Sequence, residues 1–255
     1  MIEKAVEAAK AAGSIIKSSY NKDNFLLHSY KDPYSIVSKT DLNAEAKILE
    51  IIQKSFPDHS IFSEETGLID HKSDYLWMID PLDGTTNFVH HISHFCISIA
   101  LTHKHQPISA VIYNPIHNEL FTAEKDKGAF LNGKKLLLPE TQMMAKSVIF
   151  MGRGVAKGET LRFGRILSEL TKHVRTIRVL GSAALGLCYT ASGRYDALII
   201  NSCEAYDCAA GVLICQEAGL IVTNFKGHSW KMKLDDVLVT NSKNTQSYIE
   251  ILKNL

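Results

Sequence analysis

The sequence of 255 residues lacks any apolar run near the ~18–20 residues that a membrane span requires. It lacks an excess of charge. Its 28 basic and 27 acidic side chains leave a formal net charge of +1, which gives no global field for nucleic acid or a membrane surface. It also lacks any C-x-x-C spacing. The five cysteines (Cys96, Cys188, Cys203, Cys208, Cys215) are an odd number and read as buried thiols of a cytoplasmic protein, not as a disulfide framework. No h-region stands at the start, because Glu3, Glu7 and Lys10 interrupt it, so no secretory signal is expected. No repeat, low-complexity stretch or long linker is present. What remains is an ordinary globular composition, 45% hydrophobic and 22% charged, long enough for one or two domains with a substantial core.

Periodicity divides the chain near residue 145. Ile2, Val6, Ala9, Gly13 and Ile16 step along one face of a first helix. Ile48, Leu49, Ile52 and Phe56 mark a second, from about Asp41 to Ser55, which Pro57 ends. Between them, YKDPYSIVSKTD is turn-rich and reads as a hairpin or a loop. YLWMI is a short strand that runs into DPLDG. FCISIALTH, PISAVIYN and NELFTAEK then read as successive antiparallel strands. After residue 145 strand and helix alternate, which argues a three-layer α/β arrangement. The expected organisation is an α+β lobe over residues 1–145 and an α/β lobe over 146–255, together one compact unit.

Three near-matches carry little. Gly128 to Lys135 resembles a P-loop until Lys135 stands where Ser or Thr is needed for Mg²⁺, so a β-turn is the better reading. Gly152-Arg153-Gly154 starts like a dinucleotide fingerprint, but Lys157 replaces its third glycine. His90, His91 and His94 lack the acidic partner of a zinc-protease helix and read as surface or substrate-edge histidines.

The informative stretch runs from Trp77 to Phe88, WMIDPLDGTTNF. A strand is expected to end at Asp80, and Pro81 and Gly84 to force a sharp turn. Asp80 and Asp83 then stand together at one edge of the fold. Two such carboxylates repel unless a cation or a proton lies between them. Oxygen-only ligands select a hard cation, and Mg²⁺ suits a site with few carboxylates. Alone, Asp-Pro-x-Asp-Gly is simply a turn. Glu64-Glu65 adds acid from another loop, and Asp207 stands at the start of a predicted helix. Thr85 follows Gly84 where free backbone N–H groups can meet phosphate. Carboxylates that hold a cation beside a phosphate-binding turn are the equipment of metal-assisted phosphoryl transfer.

These residues closely resemble the inositol monophosphatase family. Trp77 to Phe88 match its signature W-x-I-D-P-[LI]-D-G-T-x-N-F throughout. Phe62-Ser63-Glu64-Glu65 is similar to its Glu-Glu element, and Val37 to Asp41 to its V-T-x-x-D segment. Leu180 to Ala184 resembles its G-[ST]-A-A turn. Ala205 to Gly211 resembles its W-D-x-A-A-G signature, with Tyr206 in place of Trp. The resemblance implies a layered αβαβα sandwich of the sugar-phosphatase type, a homodimer, and Mg²⁺-dependent hydrolysis of a small phosphate monoester. It implies two or three Mg²⁺ ions held by Glu64, Asp80, the Leu82 carbonyl, Asp83 and Asp207. Gly84 and Thr85 would donate to the phosphate, and Asp41 with Thr85 would orient the attacking water. Glu64 is counted with the catalytic residues as well as the metal ligands. Gly181, Ser182, Ala183 and Asp207 would line the substrate.

One position departs from the inositol-specific pattern. The Glu seven residues before the second-signature Asp is here Ile200, which accepts no hydrogen bond. A site without that contact discriminates polyols less well. Fructose 1,6-bisphosphate, 3′-phosphoadenosine nucleotides and histidinol phosphate therefore stay open as substrates. Arg153, Arg162 and Arg165 are either a second phosphate site or surface arginines. A protein that keeps the fold but acts by binding a macromolecular partner is the rival reading. No membrane or nucleic-acid partner is expected.

Overall fold

The computed structural model describes residues 1–20, 28–32, 35–138, 142–154, 158–232 and 235–255. In chain order the elements of the first half are α1 (Ile2–Tyr20), β1 (His28–Asp32), β2 (Ser35–Ser38), α2 (Lys39–Ser55), β3 (Ser60–Ser63), β4 (Gly67–Ile69), β5 (Tyr75–Asp83), α3 (Thr85–Val89), β6 (Cys96–His103), β7 (Gln106–Asn114), β8 (Glu119–Glu124), β9 (Gly128–Leu131) and β10 (Lys134–Lys135). The second half holds β11 (Val148–Gly152), α4 (Glu159–Leu170), β12 (Thr176–Arg178), α5 (Ala183–Ala191), β13 (Ala197–Cys203), α6 (Ala205–Glu217), β14 (Ile221–Thr223), β15 (Asp235–Thr240) and α7 (Thr245–Leu252).

Two sheets result. The larger has the order β10-β9-β8-β7-β6-β5-β3-β4, and the smaller β12-β11-β13-β15-β14. β1 and β2 pair separately as an antiparallel hairpin. Side chains alternate across a strand, so each strand feeds two layers. On β5, Trp77 and Ile79 face a core shared with α1 and α2, while Met78 faces the other side. On β11, Phe150 joins the central core and Ile149 and Met151 the outer one. The central core holds α5 and α6 between the two sheets, and the outer core is closed by Ile166 and Leu170 of α4 and Tyr248 and Leu252 of α7. The layers are thus helix, sheet, helix, sheet, helix, the αβαβα order that the resemblance implied. α5 and α6 approach closely because Gly211 has no side chain: a Cβ there would lie 2.5 Å from Leu187.

Two expectations change. β5 does not end at Asp80 but continues through Pro81 to Asp83. Asp80 pairs with Ser98 and Asp83 with Cys96, so the strand bulges between them. A bulge accepts a proline that offers no N–H to the ladder, and it re-aims side chains. The cysteine reading is also corrected. Cys203 and Cys208 form a disulfide, and only Cys96, Cys188 and Cys215 are free buried thiols. The turn from β13 into α6 brings the two Cα atoms to 6.6 Å, a distance that a spacing of five residues does not reveal.

Gly128 to Lys135 forms two strands around the Asn132-Gly133 turn, as the turn reading predicts. Gly154 donates its N–H to Asn201, and Lys157 lies outside the described residues.

Candidate active site

Three chain regions converge at the edge of the large sheet. Asp80 and Asp83 leave the β5 bulge, Glu64 follows β3, and Asp207 lies in the first turn of α6. Asp80 is only 2% exposed. Burial, then the charges of Glu64, Asp83 and Asp207, push its carboxyl well above the usual range. Burial does the same to Asp207, with Asp83 and Glu64 adding to it. Glu64 and Asp83 thus act on both Asp80 and Asp207, and the four acids form a pool of negative charge.

Two of the acids are also tied to the backbone. Asp80 Oδ1 accepts from the N–H of Leu82 at 2.9 Å. Asp83 Oδ2 accepts from the Ser182 hydroxyl at 2.5 Å and from the Ala184 N–H at 2.7 Å. Burial raises the Asp83 carboxyl, and these bonds partly offset that. The Ser182 hydroxyl is therefore committed to Asp83, while it also caps α5 by accepting from the Leu185 N–H at 3.3 Å. Cys96 lies behind this pair, its Sγ 3.8 Å from Asp83 Oδ2.

Asp41 stands beside the acids on α2. Ser38 caps that helix by accepting from the N–H groups of Thr40 and Asp41, and Asp41 Oδ2 accepts from the Ser38 N–H at 2.9 Å and from its hydroxyl. This capping box is legible as Ser-x-x-Asp. The other oxygen, Oδ1, accepts from the Thr85 hydroxyl at 2.9 Å. Burial raises the Asp41 carboxyl against those bonds. The Thr85 hydroxyl also lies 3.0 Å from the Leu82 carbonyl. It has one proton, so it serves one acceptor at a time and leaves lone pairs for another donor.

Gly84 caps α3 in the left-handed region, at φ 94°, where a Cβ would lie 3.0 Å from the His94 carbonyl. The amide of Asn87 donates to the carbonyls of His94 at 2.7 Å and Leu180 at 2.6 Å. That pair of bonds draws the turn at Gly181 against α3. Sequence reasoning missed Asn87, although it is the penultimate residue of the signature.

The remaining candidates lie elsewhere. Ile200 is buried in β13 opposite Gly152 and Val237. Arg162 pairs with Asp236 at 2.8 Å. His94 is half-buried, and burial lowers its pKa to about 4. A cavity of about 630 Å³ lies at the far end of α6, against Val212, Glu217 and Trp230.

The donor set decides which cation fits. Every candidate ligand is an oxygen, and Asp80 and Asp207 are both raised by neighbouring acids, so a hard divalent cation suits the site. Among the described residues no three His, Cys, Asp or Glu side chains already converge as a metal-binding group. Asp83 instead turns Oδ2 to the start of α5.

A model of the Inositol monophosphatase family matches residues 1–255. The chain belongs to the inositol monophosphatase family. It is 37% identical over 246 residues to "Nus factor SuhB" of Haemophilus influenzae, covering 95% of this chain and 92% of that one. Among solved structures, extragenic suppressor protein suhB from Bartonella henselae matches with a TM-score of 0.93 and 34% identity, covering 98% of this chain and 97% of that one. Inositol monophosphatase from Anabaena (Nostoc) sp. PCC 7120 matches with a TM-score of 0.89 and 34% identity, covering 100% and 95%. Among the described residues, the mixed sheets and seven α-helices match the inositol monophosphatase fold. No helix among the described residues is long and apolar enough to cross a membrane.

Proposed function

We propose that this chain is a Mg²⁺-dependent phosphatase that hydrolyses a small phosphate monoester, as an inositol-1-monophosphatase does. The observation that carries the reading is Asp80, buried where Glu64, Asp83 and Asp207 all raise it. Glu64, Asp80, the Leu82 carbonyl, Asp83 and Asp207 would hold two or three Mg²⁺. When bound, these ions lower the pKa of a water to near neutrality and neutralise charge on the leaving oxygen.

The protein's own groups do the rest. Thr85 donates its proton to Asp41, so its lone pairs accept from the attacking water and fix its direction. The N–H groups of Gly84 and Thr85 donate to the phosphate. Ser182 holds Asp83 so that one carboxylate oxygen stays available. Gly181, Ser182, Ala183 and Asp207 border the substrate. With Ile200 in the core, the site makes one hydroxyl contact fewer than an inositol-specific enzyme, and related sugar or nucleotide phosphates compete as substrates. A homodimer in the cytoplasm completes the proposal.

A second reading rests on the relatives named "Nus factor SuhB". A chain 37% identical to them is a candidate for binding a component of the transcription machinery. The two readings do not exclude each other.

Phosphate release from inositol 1-phosphate, fructose 1,6-bisphosphate, 3′-phosphoadenosine 5′-phosphate, histidinol phosphate and glycerol 2-phosphate tests the first. Release is expected with Mg²⁺, and none after chelation or in Asp83→Asn. An Asp83→Asn protein that still releases phosphate with Mg²⁺ would sink the assignment. No release from any substrate by the wild type would leave the partner-binding reading.

A further inference from the structure

A buried acid that the proposed chemistry does not use stands one helical turn from Asp41. Glu45 is 4% exposed. Residues four apart share a helix face, so α2 presents Asp41 and Glu45 to the same side. Asp41 reaches Thr85, and Glu45 reaches the segment that carries Glu64. Glu45 Oε1 accepts from the Ser63 hydroxyl and from the N–H groups of Glu65 and Thr66, both at 3.1 Å. Its Oε2 accepts from the Thr66 hydroxyl at 2.7 Å. Four donors from residues 63–66 thus end on one carboxylate.

We propose that Glu45 is a positioning residue for Glu64: its carboxylate clamps the chain on both sides of Glu64 and so sets where that side chain meets Asp80. The inference rests on the reading of Glu64 as a cation ligand. Glu64 itself donates its N–H to the Ile79 carbonyl at 3.1 Å, the residue before Asp80. Its backbone is therefore held from β5 on one side and from α2 on the other. A buried carboxylate is a costly anchor, because its charge loses water. Charge-assisted bonds to N–H groups and hydroxyls are stronger and shorter than neutral ones, so the same carboxylate holds a loop more firmly than an amide does. A rigid ligand loop matters where the ligands repel one another, as these acids do.

The test uses the full chain without substrate. Mg²⁺ affinity is measured by calorimetry for the wild type, Glu45→Gln, Glu45→Ala and Thr66→Val. Melting in chelator gives the stability of each. Groups that hold a metal ligand in place typically change affinity by roughly 10–100-fold when removed. Glu45→Ala is expected to weaken Mg²⁺ binding by at least about 10-fold. Glu45→Gln keeps one oxygen toward the two N–H groups and should bind more tightly than Glu45→Ala. Thr66→Val removes one bond of four and keeps the fold testable should Glu45→Ala not fold; it should weaken binding by a few-fold. Phosphate release should then need more Mg²⁺, with kcat recovering at high Mg²⁺. Folded variants with lower melting temperatures but wild-type Mg²⁺ affinity would overturn the inference, since a structural prop alone behaves so. A wild type that binds no Mg²⁺ would instead sink the phosphatase reading beneath it.

Discussion

Asp80→Asn should make the metal-free protein more stable while it removes the response to Mg²⁺. The substitution is nearly isosteric, and the Asn oxygen can still accept from the Leu82 N–H. What changes is charge. A like charge about 6 Å away is worth ~3 kcal/mol at an effective dielectric of about 20. Asp80 feels three like-charged neighbours, Glu64, Asp83 and Asp207. Screening and relaxation of the surroundings discount that sum. A net gain of ~1–3 kcal/mol remains, or a rise in melting temperature of about 2–12 °C for a protein this size. Scanning calorimetry in chelator measures it directly. In Mg²⁺ at 100 times its Kd the wild type should gain ~2.7 kcal/mol by linkage, and the variant much less. The order of the two melting temperatures is then expected to close or invert across the titration. A variant that melts below the wild type in chelator, or gains as much from Mg²⁺, would refute the picture of an uncompensated acidic pool.

Ser182→Ala removes the hydroxyl that donates to Asp83 and caps α5, so stability should fall by ~1–3 kcal/mol, with activity falling further than Ser182→Thr allows. Comparison of melting and of kcat/KM for the two variants checks it. Gly211→Ala places a Cβ 2.5 Å from Leu187, so α5 and α6 must move apart. Overpacking of this kind costs about 1–3 kcal/mol, and activity should fall because α6 carries Asp207 one turn earlier; thermal melts and phosphate release measure both. His94 has its pKa lowered to about 4 by burial, so the folded state prefers the neutral ring. Its contribution is complete above about pH 6.5 and lost as pH falls through about 4. Denaturant midpoints of His94→Phe should decline less over that range than those of the wild type.

Much of the molecule is legible along the chain because local patterns repeat. The apolar run YLWMI is read as a strand, and β5 contains it. Asp80 and Asp83 stand out because Pro81 and Gly84 frame them. The limit of such reading is visible at Pro81. Its residue type argues a turn, yet the ladder to Cys96 and Ser98 carries β5 onward as a bulge. Pairing with β6 outweighs a local preference.

The sequence by itself determined most of the order of helices and strands, the layered class, and which acids are candidates to meet a cation. Those follow from periodicity and from residue chemistry, which are local. Only the tertiary structure decided which groups touch. Glu45 is an unremarkable helix acid until α2 packs beside residues 63–66. Nothing near Ser182 in the sequence shows that its hydroxyl donates to Asp83, 99 residues away. Cys203 and Cys208 read as thiols until the turn into α6 joins them. Each depends on where two distant backbones lie to within an ångström, and that distance is set by packed layers, not by the residues' own preferences.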